Sequence, residues 1–425
     1  MTPAIKCLIL LAIVALLFVT EMIPLAMTAI GASVACYALG LVPENQIFLG
    51  LADSTVVLFG GMFVVGAAMF YTGLAQKIGG GVVRMFGKGE NSLMFGIMII
   101  AALMSAVLSN TGTTACLIPV VMGICANAKI SASRELMPLA FAAGLGGTIT
   151  LIGTPPNILA NVALKAAGMP ELQFGFFEYA WIGIPITIAG IVYMMFIGKY
   201  LLPKDSGTLN LEIDEEILEN ETSTQKQIIC GIIMVGVIGS MATGIVPLEI
   251  AAVVGAVIAV LTGCLTEKQA YNSIDWVTIF LFAGMIPVAT AMNTSGAGKL
   301  IAEATVKMLG GDLSPYMVTA VLFGLAVVLT QFMSNTASKA LLCPVGIALS
   351  AQMGASPKAV LMAILIASSC AFASPVGTPP NTLVLGPGGY KFMDYLKAGT
   401  GLVAVCLIVS IIVIPIVWPF FPVSA

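Results

Sequence analysis

Long apolar runs alternate with short polar joints along the whole chain. A membrane-spanning helix needs about 20 apolar residues. Ten runs qualify: 4–20, 24–42, 54–74, 134–166, 175–202, 227–245, 247–265, 275–295, 356–393 and 398–420. Two further apolar segments, 92–128 and 314–350, are too long for one helix and carry polar residues at their centres. The one long polar stretch, 203–226, is acidic and includes Asp205, Glu212, Asp214, Glu215, Glu216, Glu219 and Glu221. It reads as an exposed linker that divides the chain nearly in half. The pattern predicts an all-α polytopic membrane protein.

Composition agrees. Hydrophobic residues make up 59% of the 425 and charged residues 9%, with a mean hydropathy of +1.07. So few charges cannot cover a soluble surface. The net charge is −3, and Arg84 and Arg134 are the only arginines, so no basic surface exists for nucleic acid. Histidine is absent, which removes His metal sites, proton relays and general bases. The nine cysteines form no Cys-x-x-Cys pair and read as small core residues. The first apolar run continues into a second, so it reads as a span and not as a cleaved leader. Without His, a Cys–His pair or convergent carboxylates, an intramembrane enzyme has no chemistry to work with.

The two halves are related. The segment from Thr20 to Val42 aligns without a gap on the segment from Thr243 to Leu265, 223 positions on. Ser109-Asn110-Thr111 recurs as Ser334-Asn335-Thr336, 225 positions on. Gly153-Thr154-Pro155-Pro156-Asn157 recurs as Gly377-Thr378-Pro379-Pro380-Asn381, 224 positions on. Each half holds five spans, and an odd number inverts the second half relative to the first. Two inverted five-helix repeats are an architecture of secondary transporters.

The long segments read as re-entrant hairpins, 92–128 and 314–350, each with a Ser-Asn-Thr tip between two apolar helices. A pair of full spans is the other reading, but those tips carry no charge for a loop in water. Each Gly-Thr-Pro-Pro-Asn motif interrupts an apolar run. Two prolines in succession remove two N–H donors and break the helix, inside 134–166 and inside 356–393. At each tip a helix begins, so free amides and the positive dipole end suit an anion. The helix that ends there frees carbonyls, which suit a cation. Ser, Asn and Thr also serve as ordinary helix caps. No Asp or Glu occurs from Asn91 to Arg134 or from Leu313 to Met393, so cation ligands there are neutral oxygens. Such ligands suit Na⁺ better than a proton or a transition metal.

With the hairpins not crossing, loop Lys and Arg divide eleven to five between the two sides. The richer side is cytoplasmic by the positive-inside rule. Linker 203–226 then lies in the cytoplasm and both termini lie outside the plasma (inner) membrane.

The paired Ser-Asn-Thr and Thr-Pro-Pro-Asn motifs resemble those of the divalent anion:sodium symporters, carriers of dicarboxylates, citrate or sulfate within the ion transporter superfamily. The resemblance runs from span 24–42 to the end. It implies that Asn110, Thr111, Ser334, Asn335, Thr336, Thr378 and Pro379 bind substrate. It implies one Na⁺ site at Ser105, Ser109, Asn110 and Gly153, and a second at Thr330, Asn335 and Gly377. Succinate, malate, fumarate, citrate and sulfate are the substrates it implies. It also implies a homodimer with an elevator mechanism. In that scheme 1–91 and 227–313 form a scaffold, while 92–202 and 314–425 form the moving part. A sulfate carrier, a Na⁺/H⁺ antiporter and an arsenite-type carrier of the same superfamily are the alternatives, and the missing carboxylates argue against the antiporter.

Lys339 departs from the pattern, because the equivalent residue after the first tip is the neutral Thr114. One reading has it reach an interface or line water. The other makes it a tethered cation beside the second ion site, in a carrier that exchanges substrates. Glu21 reads as a capping or interfacial residue, Asp275 as a helix start beside the interfacial Trp276, and Gly79-Gly80-Gly81 as part of an interfacial connector over 75–90.

Overall fold

The computed structural model describes residues 2–20, 22–86, 89–128, 130–203, 223–308 and 314–421. Glu21 and most of the acidic linker lie outside the described residues. No strand occurs among the described residues. The first half runs α1 (Pro3–Thr20), α2 (Leu25–Ala38), α3 (Ser54–Tyr71), α4 (Leu74–Met85), α5 (Glu90–Ser105), α6 (Asn110–Ala128), α7 (Leu136–Gly146), α8 (Leu159–Ala166) and α9 (Ala180–Phe196). The second runs α10 (Thr224–Thr243), α11 (Leu248–Leu261), α12 (Glu267–Ser273), α13 (Trp276–Ser295), α14 (Ala297–Met308), α15 (Pro315–Thr330), α16 (Asn335–Met353), α17 (Pro357–Ala367), α18 (Pro379–Leu385) and α19 (Phe392–Val417). The order recurs, with α12 standing where the first half has two short 3₁₀ turns, Glu44–Gln46 and Leu49–Ala52.

The recurrence is chemical as well as topological. Pro24 and Pro247 precede α2 and α11, each with the φ that a proline ring sets for helix entry. Asp53 and Asp275 cap α3 and α13 by accepting from Thr55 N and Thr278 N, at 3.0 and 3.2 Å.

Packing crosses between the halves. α2 lies along α13, and α11 lies along α3. Glycines set the approach: a Cβ at Gly61 or Gly284 would stand 2.7 Å from the backbone carbon of Ala252 or 2.5 Å from that of Ala29. Small residues let apolar helices touch backbone to backbone, where lipid supplies no hydrophobic drive. The crossing recurs as α6 with α18, α16 with α8, and α9 with α19, while α5 with α7 and α15 with α17 repeat one contact within each half.

Each of the ten predicted runs holds a helix, and two hold broken ones. Boundaries differ in three places. α2 and α11 are only 14 residues long, because each run ends in a turn at a left-handed glycine, Gly40 or Gly263. α19 begins at Phe392, inside the stretch assigned to the second broken helix. The 75–90 connector is largely a helix, α4, with a counterpart in α14. The stretches Glu44–Tyr71, Thr224–Thr243, Trp276–Ser295 and Phe392–Val417 are long and apolar enough to cross a bilayer. Ile232, Leu261 and Ile416 are 67%, 80% and 74% exposed, an apolar outer surface suited to a bilayer. All nine cysteines are buried and unpaired.

Overpacking a tight helix contact costs about 1–3 kcal/mol. Gly61→Val and Gly284→Val are therefore expected to lower the melting temperature of the detergent-purified protein. Gly236→Ala, in α10 with open space around it, is expected to leave it unchanged. Equal effects at all three positions would contradict the crossed packing.

Candidate functional site

Breaking a helix in an apolar interior frees backbone carbonyls that must find donors. α7 stops at Gly146, and the chain resumes with a 3₁₀ turn, Pro155–Ile158, before α8. α17 stops at Ala367, and α18 starts at Pro379. One carboxamide serves each gap. Asn157 Nδ2 donates to the carbonyls of Gly147 and Thr150, both at 3.0 Å. Asn381 Nδ2 donates to those of Ala371 and Ser374, at 2.8 and 2.9 Å. Tyrosine hydroxyls then hold the two asparagines from behind: Tyr179 donates to Asn157 O at 2.8 Å and Tyr395 to Asn381 O at 2.7 Å. A glycine on the neighbouring helix lets each unwound strand lie flat, since a Cβ at Gly183 or Gly399 would strike the carbonyl of Thr148 or Phe372.

The tips behave alike. Ser109 Oγ accepts from Gly112 N at 3.1 Å, and Ser334 Oγ accepts from Ala337 N at 3.2 Å. Both serines therefore cap, which leaves the amides of Thr111 and Thr336 in the first turn without intrahelical partners. One cavity of about 600 Å³ unites the four motifs. Ser109 to Thr111, Thr154 to Pro156, Ser334 to Thr336 and Gly377 to Pro379 all line it. Asn272, Ser273, Asp275 and Thr278, at the junction of α12 and α13, line it too. The size falls within the roughly 300–1,000 Å³ of small-ligand pockets. Asn110, Thr111, Ser334, Asn335, Thr336, Thr378 and Pro379, the seven residues expected to bind substrate, all stand on its wall. Asp275 does start α13 as expected, and Thr278 Oγ1 also donates to its carboxylate at 2.5 Å. Its place on the cavity wall had no signal in the sequence.

Behind each tip lies a cluster of neutral oxygens. Ser105 Oγ donates to Asn110 Oδ1 at 2.7 Å. That end of the carboxamide is also 3.2 Å from the carbonyl oxygens of Ala143 and Gly153. With its nitrogen turned there, Asn110 satisfies those acceptors itself. With its oxygen there, four neutral oxygens converge, a set that fits Na⁺. Glycines make the room: a Cβ at Gly147 would stand 2.2 Å from Asn110 Oδ1, and one at Gly153 would stand 3.0 Å from Ser105 O. In the second half Thr330 Oγ1 lies 2.7 Å from Asn335 Oδ1 and 2.8 Å from Ser368 O, two acceptors for its single proton. Gly377 packs on the carbonyl of Thr330 as Gly153 does on that of Ser105. Ser105, Asn110 and Gly153 thus meet at one cluster and Thr330, Asn335 and Gly377 at the other, while Ser109 caps its helix on the cavity wall.

Lys339 does not reach an interface. It is wholly buried, and its Nζ donates to Asn157 Oδ1 at 2.9 Å and to Ser369 Oγ at 2.8 Å. The interfacial reading fails because acceptors wait for the ammonium inside the protein. Glu135 is also wholly buried, at the start of α7 and off the cavity wall.

Fold and cavity together define a membrane transporter, not an enzyme. The chain belongs to the citrate transporter family, CitMHS, whose model matches residues 15–342 and 332–423. It is 31% identical over 419 residues to an uncharacterised transporter of Haemophilus influenzae, covering 94% of this chain and 89% of that one. It is 26% identical over 450 residues to the sodium-dependent dicarboxylate transporter SdcS of Staphylococcus aureus, covering 95% and 84%. The solved YdaH transporter of Alcanivorax borkumensis shares the fold, with a TM-score of 0.66, 16% identity and 98% of both chains covered. The Neisseria gonorrhoeae MtrF structure follows, with a TM-score of 0.60, 13% identity and 88% and 81% covered. These relatives bear out the resemblance to sodium-coupled dicarboxylate carriers.

Leaving a buried polar group unpaired costs about 1–3 kcal/mol. Asn157→Leu and Asn381→Leu each strand two carbonyls, so both are expected to lower the melting temperature by several degrees. A melting curve unchanged in both variants would mean that other donors hold the breaks open.

Proposed function

We propose that the protein is a secondary active carrier of small dicarboxylates, working by Na⁺ symport or by exchange of one anion for another. The observation that carries this reading is the convergence of both tips and both helix breaks on one cavity. An odd number of spans per half places the tips of two crossing hairpins on opposite membrane faces. Tips that share a cavity accord better with re-entrant hairpins that meet at mid-depth in an inverted repeat.

The chemistry follows from the ends of the helices. Dianion carboxylates sit at the starts of α6 and α16, where unpartnered amides and positive dipole ends meet them. The hydroxyls of Thr111, Ser334, Thr336 and Thr378 add donors. Na⁺, as a co-transported ion, takes the neutral oxygens behind the tips. Asn110 and Asn335 belong to both sites, facing the cavity and holding the oxygen clusters. A cation that draws Asn110 Oδ1 inward leaves Nδ2 to donate toward the anion, so each ion prepares the site for the other. That is coupling by a shared side chain. In transport the hairpins and broken helices travel as one body along α2, α3, α11 and α13, and a homodimer anchors those helices. The linker lies in the cytoplasm and both termini outside.

Labelled succinate uptake into proteoliposomes tests this under three conditions: an inward Na⁺ gradient, no Na⁺, and no Na⁺ with succinate inside. Gradient-driven uptake into empty vesicles means symport, and uptake only into loaded vesicles means exchange. Asn110→Ala and Thr336→Ala are expected to cut either flux by about tenfold or more, the loss of one good anion donor. Full activity in both variants would sink the cavity as the transport site. Silence of the wild type toward succinate, malate, fumarate, citrate and sulfate alike would sink the substrate class.

A further inference from the structure

Lys339 breaks the correspondence between the halves at one point. Ser105 and Thr330 make the same bond to Asn110 and Asn335, and Asn157 and Asn381 bridge the same gaps. The counterpart of Lys339 is Thr114, whose hydroxyl merely donates to Asn110 O in its own helix. Asn157 Oδ1 accepts from the lysine, while Asn381 Oδ1 has no hydrogen-bond partner among the described residues. A positive charge has therefore been added on one side only.

Its setting says what the charge does. The acceptors, Asn157 and Ser369, are neutral, and no carboxylate pairs with the ammonium among the described residues. A wholly buried cation without a counter-charge is costly until an anion comes near. Ser369 directly follows Ser368, whose carbonyl belongs to the second oxygen cluster. The ammonium thus stands one residue from the place where a mobile cation would bind. Like charges brought together in a low-dielectric interior repel strongly.

We propose that Lys339 is a resident cation that takes the place of a mobile one at the second tip and holds the carrier to exchange. Resting on the dicarboxylate reading above, this picks out exchange from its two modes. The dianion supplies the missing negative charge, so the loaded carrier crosses readily. The empty carrier keeps an uncompensated charge in its moving body and does not return. Only the first cluster, behind Asn110, remains open to Na⁺.

Two measurements on the full-length protein test this. The first follows the melting temperature of detergent-purified protein in sodium chloride against choline chloride, which needs no substrate. A cation that binds only the folded state raises it. The second follows labelled succinate counterflow in proteoliposomes with and without Na⁺. Wild type and Lys339→Arg are expected to show a small Na⁺ shift and counterflow that rises no more than about twofold with Na⁺, the response of the first cluster alone. Lys339→Thr, which installs the residue of the other half, is expected to show a larger shift. Its counterflow is expected to rise about tenfold with Na⁺, within the usual range of coupling between sites. The same Na⁺ response in Lys339→Thr as in wild type overturns the proposal. Failure of both Lys339→Thr and Lys339→Met to fold also overturns it, by making the lysine a structural tie alone. If the wild type moves no dicarboxylate, the substrate reading falls and the melting shift still judges the lysine.

Discussion

Four stranded carbonyl oxygens are the constraint on which this structure turns. An apolar interior offers no water to a broken helix, so the protein must supply its own donors. Asn157 and Asn381 do so, each with one NH₂ group spread over two carbonyls. Once the breaks are held open, the rest has somewhere to go. The unwound strands leave Gly147 and Gly153 as a floor without side chains, and the Asn110 carboxamide lies on that floor. The tips then meet the breaks at a single cavity. Remove the two amide bridges, and neither the oxygen clusters nor the cavity has a fixed wall.

In the proposed carrier, ions of both signs are met with almost no formal charge. Helix starts present N–H groups, and helix ends and unwound segments present carbonyls. Neither hairpin contains an Asp or Glu. Neutral ligands of this kind grip weakly enough to let go, which a carrier needs and a storage site does not. Asp275 on the cavity wall is the exception, and Thr278 ties it down through two hydrogen bonds. Lys339 is the other, joining a helix of the second half to the broken helix of the first across 182 positions.

Much of this was legible because the relevant chemistry is local. Pro-Pro breaks a helix wherever it lies, and Ser-Asn-Thr starts one, so duplicated motifs marked the site before any packing was known. The ten helix-bearing runs were legible for the same reason, while Ser105 and Thr330, one turn before the tips, entered only through the family resemblance. What stayed hidden depends on distant partners. Nothing near Tyr179 or Tyr395 in the chain announces that its hydroxyl holds a bridging asparagine. The asparagines were visible as motif letters, but their carbonyl partners appear only once the unwound strand curls back. Lys339 was read two ways because a charge in an apolar run usually finds an interface, and only the fold reveals Asn157 and Ser369 waiting for it. Helix ends moved where a glycine turn cut an apolar run short, as at Gly40.

The central claim is that two tips 225 positions apart form the walls of one anion site. The most direct measurement places a single reactive thiol at Thr111 or at Thr336 and follows its labelling by a charged maleimide in membranes. The native cysteines are buried and out of reach of such a reagent. The account predicts that both thiols label and that succinate slows both in parallel, with one concentration dependence. Protection of one thiol alone, or of neither while transport persists, would contradict it.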